Sequence, residues 1–304
     1  MQFAIMGAGA VGCYYGGMLA RAGHTVTLIG RPVHVQAVLK QGLRLQTLSF
    51  DEQVRMNAST NVADVAGADC ILFCVKSSDT ESAGQSLKPY IGPNTVVLSL
   101  QNGVDNAERL AAVIGQMVIP TVVYVGTEMA GPGHVQHHGR GELVLGQGRQ
   151  AEAIADVLTQ AAIPSTVSPN ARGALWTKLI INCTYNAASA ITQLPYGPMV
   201  ENPGMWALMR HAFDECMAVA DAAGVHIDQP IWPMIETIAR TMVGQYSSTA
   251  QDLQKGKPTE IDHLNGFIVQ HGQQLGVATP VNQSLQALVK ALESQPAYAQ
   301  KHVS

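Results

Sequence analysis

The first thirty residues constrain the fold most. "QFAIM" (Gln2 to Met6) is a short apolar run of the kind that makes a buried strand. "GAGAVG", Gly7 to Gly12, follows at once. A helical pattern then runs through Met18, Leu19 and Ala22 to Gly23, a C-terminal stop, and "HTVTLIG" is a second β-branched run. The order is strand, Gly-rich turn, helix, strand. Glycines alone only make turns. Between a strand and a helix, each has work to do: Gly7 permits the tight turn, Gly9 lets backbone approach a pyrophosphate, and Gly12 lets helix and strand pack closely. Gly7, Ala8, Gly9, Ala10, Val11 and Gly12 are thus candidate dinucleotide contacts, with a helix N-terminus to receive the phosphates.

The end of the second strand distinguishes the dinucleotides. NAD sites usually place Asp or Glu there, on the ribose 2′-hydroxyl. This chain reads "LIGR", with Arg31 and no carboxylate. A guanidinium suits the 2′-phosphate of NADP; the competing reading is an ordinary solvated arginine. Two more buried runs follow: "CILFCVKS" ends in Lys76, and "NTVVLSLQNGVD" carries Gln101, Asn102 and Gly103. Ligands gather outside the carboxyl ends of such strands, so Lys76 and Asn102 are candidates for ribose, nicotinamide or substrate. An exposed loop lysine and an Asn-Gly turn are the plainer alternatives. "LRLQTL" and "EQVRMNA" fit an added hairpin, and "VIPTVVYV" and "ELVLG" further strands.

From about Asn170 the pattern becomes helical. "ARGALWTKLIINCTYNAASAI", "MWALMRHAFDECMAVADAAG", "PIWPMIETIARTMVG", "TEIDHLNGFIVQHGQQLG" and "PVNQSLQALVKALES" read as five helices separated by Gly or Pro turns. The expected architecture is α/β: a Rossmann-type dinucleotide-binding domain over 1–168, then an all-α substrate domain over 169–304, with a ligand pocket favoured at the domain interface. In the first helix Lys178, Asn182 and Asn186 recur every four residues and form one stripe among apolar neighbours. A solvated face would be wider and would use better helix formers than amides. A half-buried lysine needs a partner or a lowered pKa, and the latter suits a general acid near neutral pH. Asp252 and Glu260 are the carboxylates offered by "SSTAQDLQKGKPTEID". Glu260 is expected to open the fourth helix, where its charge also suits the helix dipole.

Composition removes several classes. The net charge is −4 with 13% charged residues and no basic block, so neither nucleic acid nor an anionic membrane is an expected partner. No run of 18 apolar residues predicts a membrane span, and the N-terminus lacks a secretory pattern. The five cysteines fit no zinc spacing and read as buried reduced thiols of a cytoplasmic protein. His134, His137 and His138 cluster in "HVQHHG" without Cys, Asp or Glu at helix-like ligand spacing, so no metal is expected. No residue compels a homodimer, although the helical domain could bury an apolar patch in one.

"GAGAVG", Arg31, "VKS", "QNG", "LWTKLIINCTYN" and "SSTAQDLQKGKPTEIDHLNG" together resemble the ketopantoate reductase family, in order and spacing along nearly the whole chain. The resemblance implies NADPH-dependent reduction of 2-dehydropantoate to pantoate, a step of pantothenate and coenzyme A biosynthesis. Lys178 matches the family's general acid and Glu260 the carboxylate that organises substrate and cofactor. Asn102, Asn182, Asn186 and Ser248, with Ser247 beside it, match substrate- or nicotinamide-contacting positions. Gly7 to Gly12, Arg31 and Lys76 match cofactor positions. Some members carry an asparagine in the loop after the lysine helix, where this chain has Tyr196 in "QLPYG". That departure leaves open a related NADP-dependent reductase of another 2-oxo acid. A non-catalytic dinucleotide sensor would need neither Lys178 nor Glu260.

Overall fold

The computed structural model describes residues 1–295. It divides into two compact units, Met1–Arg172 and Gly173 onward. The first is α/β. β1 (Gln2–Met6) leads through the Gly-rich turn into α1 (Ala10–Arg21) and then β2 (Thr25–Ile29). Gly23 ends α1 at φ +89, with its N–H on the Ala20 carbonyl and the His24 N–H on that of Leu19. This left-handed cap satisfies two carbonyls that the helix leaves over. α2 (Pro32–Gln41) starts on a proline, whose missing N–H has no helical partner there anyway. β3 (Leu43–Gln46), β4 (Asp51–Val54), β5 (Asn57–Ser59), β6 (Cys70–Phe73), α3 (Thr80–Leu87), β7 (Val96–Ser99) and α4 (Asn106–Ile114) follow. β8 (Ile119–Gly131), β9 (His134–Gly146), α5 (Ala151–Gln160) and β10 (Ser165–Ser168) complete the unit.

The sheet runs β4-β3-β9-β8-β7-β6-β1-β2-β5, with β10 beside the far half of β9. The segment β5-β2-β1-β6-β7-β8 is parallel throughout. The chain builds outward from β1 through β2 to β5, then returns to lay β6 on the other side of β1. That reversal leaves a crevice above the carboxyl ends of β1 and β6. Both faces are buried because strand residues alternate. Phe3, Ile5, Leu28 and Leu72 pack into one core; Ala4, Met6, Ile29 and Phe73 pack into the other.

Several boundaries differ from the sequence reading. "EQVRMNA" is two strands: β4 pairs antiparallel with β3, whereas Asn57–Ser59 pairs parallel with β2. The alternation that read as one hairpin therefore conceals the third strand of the nucleotide fold. β8 and β9 are far longer than "VIPTVVYV" and "ELVLG". They form an antiparallel hairpin with three register shifts, and "HVQHHG" is the first part of its β9 arm.

The second unit is helical. α6 (Ala171–Thr192) begins in the last residues of the first unit. α7 (Tyr196–Val200), α8 (Met205–Ala222), α9 (Ile231–Thr241), α10 (Ser248–Gln254), α11 (Asn265–Leu275) and α12 (Pro280–Glu293) follow. Glu260 does not open a long helix: Ile261–His263 is a short 3-10 turn, and α11 starts only at Asn265. The break follows from side-chain demands. Thr259 gives its N–H and hydroxyl to Glu293 (2.8 and 2.6 Å) and accepts the Ile261 N–H, while Ile261 and Leu264 are both buried. Among the described residues no helix is long and apolar enough to cross a membrane.

Candidate active site

In the first unit the Gly-rich turn has the shape that a pyrophosphate needs. Gly7 lies at φ +116, and a Cβ there would sit 2.8 Å from the Cys74 carbonyl carbon. A Cβ on Gly12 would collide with the Gly7 carbonyl oxygen and come within 2.9 Å of Ile5. Gly9 is the opposite case: nothing lies within 4 Å of a Cβ built on it, and the residue is exposed. Gly7 and Gly12 therefore serve close packing, and Gly9 faces open space. Gly9 is also the N-cap of α1, has no side chain to cap it, and is followed by no acidic residue in the first turn. The N–H groups of that turn and the positive end of the helix are therefore left open to an anionic group, with no carboxylate of the first turn competing for them. These residues fit a dinucleotide.

Arg31 is exposed at the N-cap of α2, one residue beyond Gly30, and the first turn of that helix carries no carboxylate. Lys76 and Asn102 leave the ends of β6 and β7. Lys76 is exposed on the N-terminal flank of the 3-10 turn Ser77–Asp79, and Asn102 is half-buried. The structure brings their loops together. The Ser77 hydroxyl and the Asn106 amide both donate to the Asn102 carbonyl, at 2.9 and 2.5 Å, and the Gln101 amide donates to the Lys76 carbonyl at 3.5 Å. Asn106 was not among the sequence candidates. Its one signal is that it stands four residues after Asn102, at the start of α4.

In the second unit α6 carries Lys178, Asn182 and Asn186 as one file. Lys178 and Asn182 are half-buried and Asn186 is only 2% exposed, which no solvated helix face would show. Other polar groups of α6 satisfy themselves on nearby carbonyls: Thr177 on Gly173, Thr184 on Ile180 and Ser189 on Leu194. Tyr185 reaches the carbonyl of Ile235. The Asn186 amide instead points across to α10 and donates to the Ser248 hydroxyl at 3.5 Å.

The two serines behave differently. Ser247 is 1% exposed; its hydroxyl donates to the Asn186 carbonyl and accepts the Ala250 N–H, capping α10. Ser248 is exposed. Ser248 thus has a surface to offer a ligand, and Ser247 holds the helix that presents it. Tyr196 starts α7 rather than lying in a loop. It is 9% exposed and its ring lies 4.5 Å from that of Tyr185, so burial pushes its hydroxyl well above the usual tyrosine pKa.

The three histidines of β9 have separate duties. His134 pairs with Gln46 at 2.8 Å and His138 with Glu128 at 3.2 Å. His137 donates to the Arg140 carbonyl at 2.6 Å while stacking on Tyr14. Among the described residues no group of three or more His, Cys, Asp or Glu is placed to hold a metal ion. All five cysteines are free. Burial pushes the Cys13 thiol, next to the Gly-rich turn, up to about 12, so it stays protonated and unreactive.

The family model described as "Ketopantoate reductase PanE/ApbA" matches residues 3–150, and its C-terminal counterpart matches 170–293. A 2-dehydropantoate 2-reductase of Pyrococcus horikoshii is 34% identical, over 97% of this chain and 98% of its own. A PanE/ApbA family ketopantoate reductase of Ralstonia eutropha JMP134, solved by crystallography, is 57% identical. It superposes with a TM-score of 0.94 over 96% of this chain and 98% of its own. A D-mandelate dehydrogenase solved with NADH and anilino(oxo)acetate is 28% identical, with a TM-score of 0.88 over 96% and 98% of the two chains. With both halves matched in order and relatives aligned end to end, the chain belongs to the ketopantoate reductase family.

Proposed function

We propose that this protein reduces the C2 carbonyl of 2-dehydropantoate to the alcohol of pantoate with NADPH, in the cytoplasmic route to pantothenate and coenzyme A. The observation that carries it is the file on α6: a half-buried lysine followed, one turn apart, by two amides of which the deeper is almost fully enclosed. Bound at the Gly-rich turn, the dinucleotide supplies the hydride. Arg31 takes the 2′-phosphate, as a planar permanent cation with no carboxylate beside it in the first turn of α2. Lys76 and Asn102 complete the cofactor side. The Lys178 ammonium offsets the negative charge that grows on the C2 oxygen and gives that oxygen its proton. Asn182 and Asn186 hold the substrate hydroxyl and fix the ketone's orientation. Ser248 receives the carboxylate. Glu260, on the N-terminal flank of its 3-10 turn, organises substrate and cofactor.

A second reading is favoured by one comparison. The D-mandelate dehydrogenase, of the same fold over nearly its whole length, was solved with NADH and an aryl-bearing oxo acid. An aromatic 2-oxo acid and NADH are therefore the competitors to include. A purified-protein assay following NADPH oxidation with 2-dehydropantoate, phenylglyoxylate and small 2-oxo acids separates the two. The expected result is the highest kcat/KM with 2-dehydropantoate and NADPH; a preference for phenylglyoxylate sinks the first reading. In the same assay Lys178→Ala lowers kcat by roughly 10²–10⁴-fold, and full activity of that variant removes the general-acid role. Arg31→Ala raises the KM for NADPH by about tenfold, the worth of one charge-assisted contact, and leaves that for NADH unchanged.

A further inference from the structure

Beneath the loops that carry Lys76 and Asn102 lies a buried polar knot that the reaction chemistry above does not use. Ser77 and Thr80 are 0% exposed, Asn106 3%, Ser99 4% and Gln101 6%. Unpaired, these groups would be costly there, and each is paired. The Ser99 hydroxyl donates to Gln101 Oε1 at 3.1 Å, and Gln101 Nε2 donates to the Thr80 hydroxyl at 2.8 Å. The Thr80 hydroxyl has one proton, with Asn106 Oδ1 and the Ser77 carbonyl each 3.0 Å away. Arg109 donates to Asn106 Oδ1 (3.2 Å) and to the Ser77 carbonyl (2.9 Å), and its guanidinium is itself held by both oxygens of Glu81.

Asn106 is where the knot meets the loops. Its Oδ1 faces the donors Thr80 and Arg109, so its Nδ2 must face the other way. Nδ2 donates to the Ser77 hydroxyl at 3.2 Å and to the Asn102 carbonyl at 2.5 Å. The amide has one orientation that satisfies all four neighbours; a flip would set two oxygens face to face. The Asn102 carbonyl thereby receives two donors, which fixes the peptide leading into Gly103 at φ +96. Ser77, held through its hydroxyl and its carbonyl, is the residue directly after Lys76. Asn106 thus reinforces the tie between the end of β6 and the end of β7 that the Ser77 hydroxyl and the Gln101 amide also make, and it is the side chain that bonds both Ser77 and the Asn102 carbonyl from α4.

We infer that Asn106 is a positioning residue: through Ser77 and the Asn102 carbonyl it sets the loops that aim Lys76 and Asn102 at the dinucleotide. The inference rests on the cofactor roles proposed for those two residues. It separates Asn106 from Thr80, which is equally buried and in the same knot but bonds neither Asn102 nor the Ser77 hydroxyl.

The test compares Asn106→Asp with Thr80→Val in the full chain. Asn106→Asp keeps the shape and leaves Arg109 beside the new charge, but removes the donor to Asn102. Thr80→Val removes two buried hydrogen bonds of the same knot, the one that the hydroxyl accepts from Gln101 and the one that it donates. Two quantities are read: kcat with the best 2-oxo acid substrate, and the emission spectrum and lifetime of NADPH on binding. For Asn106→Asp the expected loss is about tenfold or more in kcat, in line with the cost of misplaced reacting groups, with altered emission of bound NADPH. Thr80→Val is expected to lower Tm while keeping kcat within about twofold and leaving the emission unchanged. Wild-type kcat and emission in Asn106→Asp overturn the inference. So does a parallel loss in both variants that tracks Tm, since that marks a merely structural knot. A wild-type chain that binds NADPH but reduces no 2-oxo acid overturns the proposed reaction alone, and the emission readout still decides for Asn106. A chain that binds no dinucleotide overturns both.

Discussion

Gly9 and Gly12 belong to one turn and answer to different forces. Gly12 is buried where a Cβ would meet the Gly7 carbonyl and Ile5, so its lack of a side chain serves the packing of α1 on β1. Gly9 has open space before it and ordinary extended backbone, at φ −84 and ψ −176, so alanine fits it without strain. Gly12→Ala is expected to cost roughly 1–3 kcal/mol of stability by overpacking. Gly9→Ala is expected to keep the fold within about 1 kcal/mol and weaken dinucleotide binding by about tenfold, a loss of about 1.4 kcal/mol. Thermal unfolding and a cofactor titration on both variants check this; equal effects on both quantities would remove the division of labour. The glycine spacing showed the turn, but which of its positions tolerates a side chain is decided only by the neighbours that folding supplies. Tyr196 makes the same point in reverse. From the sequence it stands where a substrate-facing residue is expected, yet it is buried against Tyr185 at the start of α7. An apolar ring with a polar tip reads equally well as pocket lining or core, and only packing separates the two.

Among the elements, α10 shows how a short helix becomes part of a candidate site. Seven residues are too few to hold a helix by propensity. Ser247 supplies what is missing, capping the Ala250 N–H at 3.0 Å and anchoring to the Asn186 carbonyl at 3.1 Å. Ser247→Ala is therefore expected to lower stability by about 1 kcal/mol and to disturb substrate KM only through that helix, whereas Ser248→Ala is expected to raise substrate KM with little change in Tm. Denaturant unfolding and KM measured on the pair separate the two; a larger KM effect from Ser247→Ala than from Ser248→Ala would reverse the assignment. α7 and α10 were not visible in the sequence because both are shorter than two full amphipathic periods. α6, α8 and α12 were legible nearly to the residue because long apolar stripes and terminal Gly or Pro mark them. The segment from Thr259 read as continuous helix because its apolar spacing is helical, while the contact that breaks it, Thr259 with Glu293, lies 34 residues away.

For the whole molecule, α12 is held to the turn Ile261–His263 by charge. Asp262 accepts from Gln286 at 2.7 Å and from Lys290 at 2.9 Å. Burial pushes the Asp262 carboxyl up, but those two hydrogen bonds and the Lys290 charge outweigh it and hold it below the usual aspartate value. A carboxylate depressed in the folded state adds stability that is fully present above its unfolded pKa, about 3.9, and is lost as the pH falls through the lower folded value. Asp262→Asn is therefore expected to show a shallower loss of Tm below about pH 4 than the unsubstituted chain. Identical acid profiles would show that the pair contributes nothing. The sequence by itself determined the α/β layout followed by helices, the Gly-rich turn and the polar file on α6. These rest on local spacing and on chemistry carried within a few residues. It did not determine which strand lies beside β2, where α11 begins, or that Asn106 joins the loops of Lys76 and Asn102. Those depend on groups far apart in the chain meeting in a dry interior, where every donor must find its acceptor, and only the tertiary structure decides which acceptor is there.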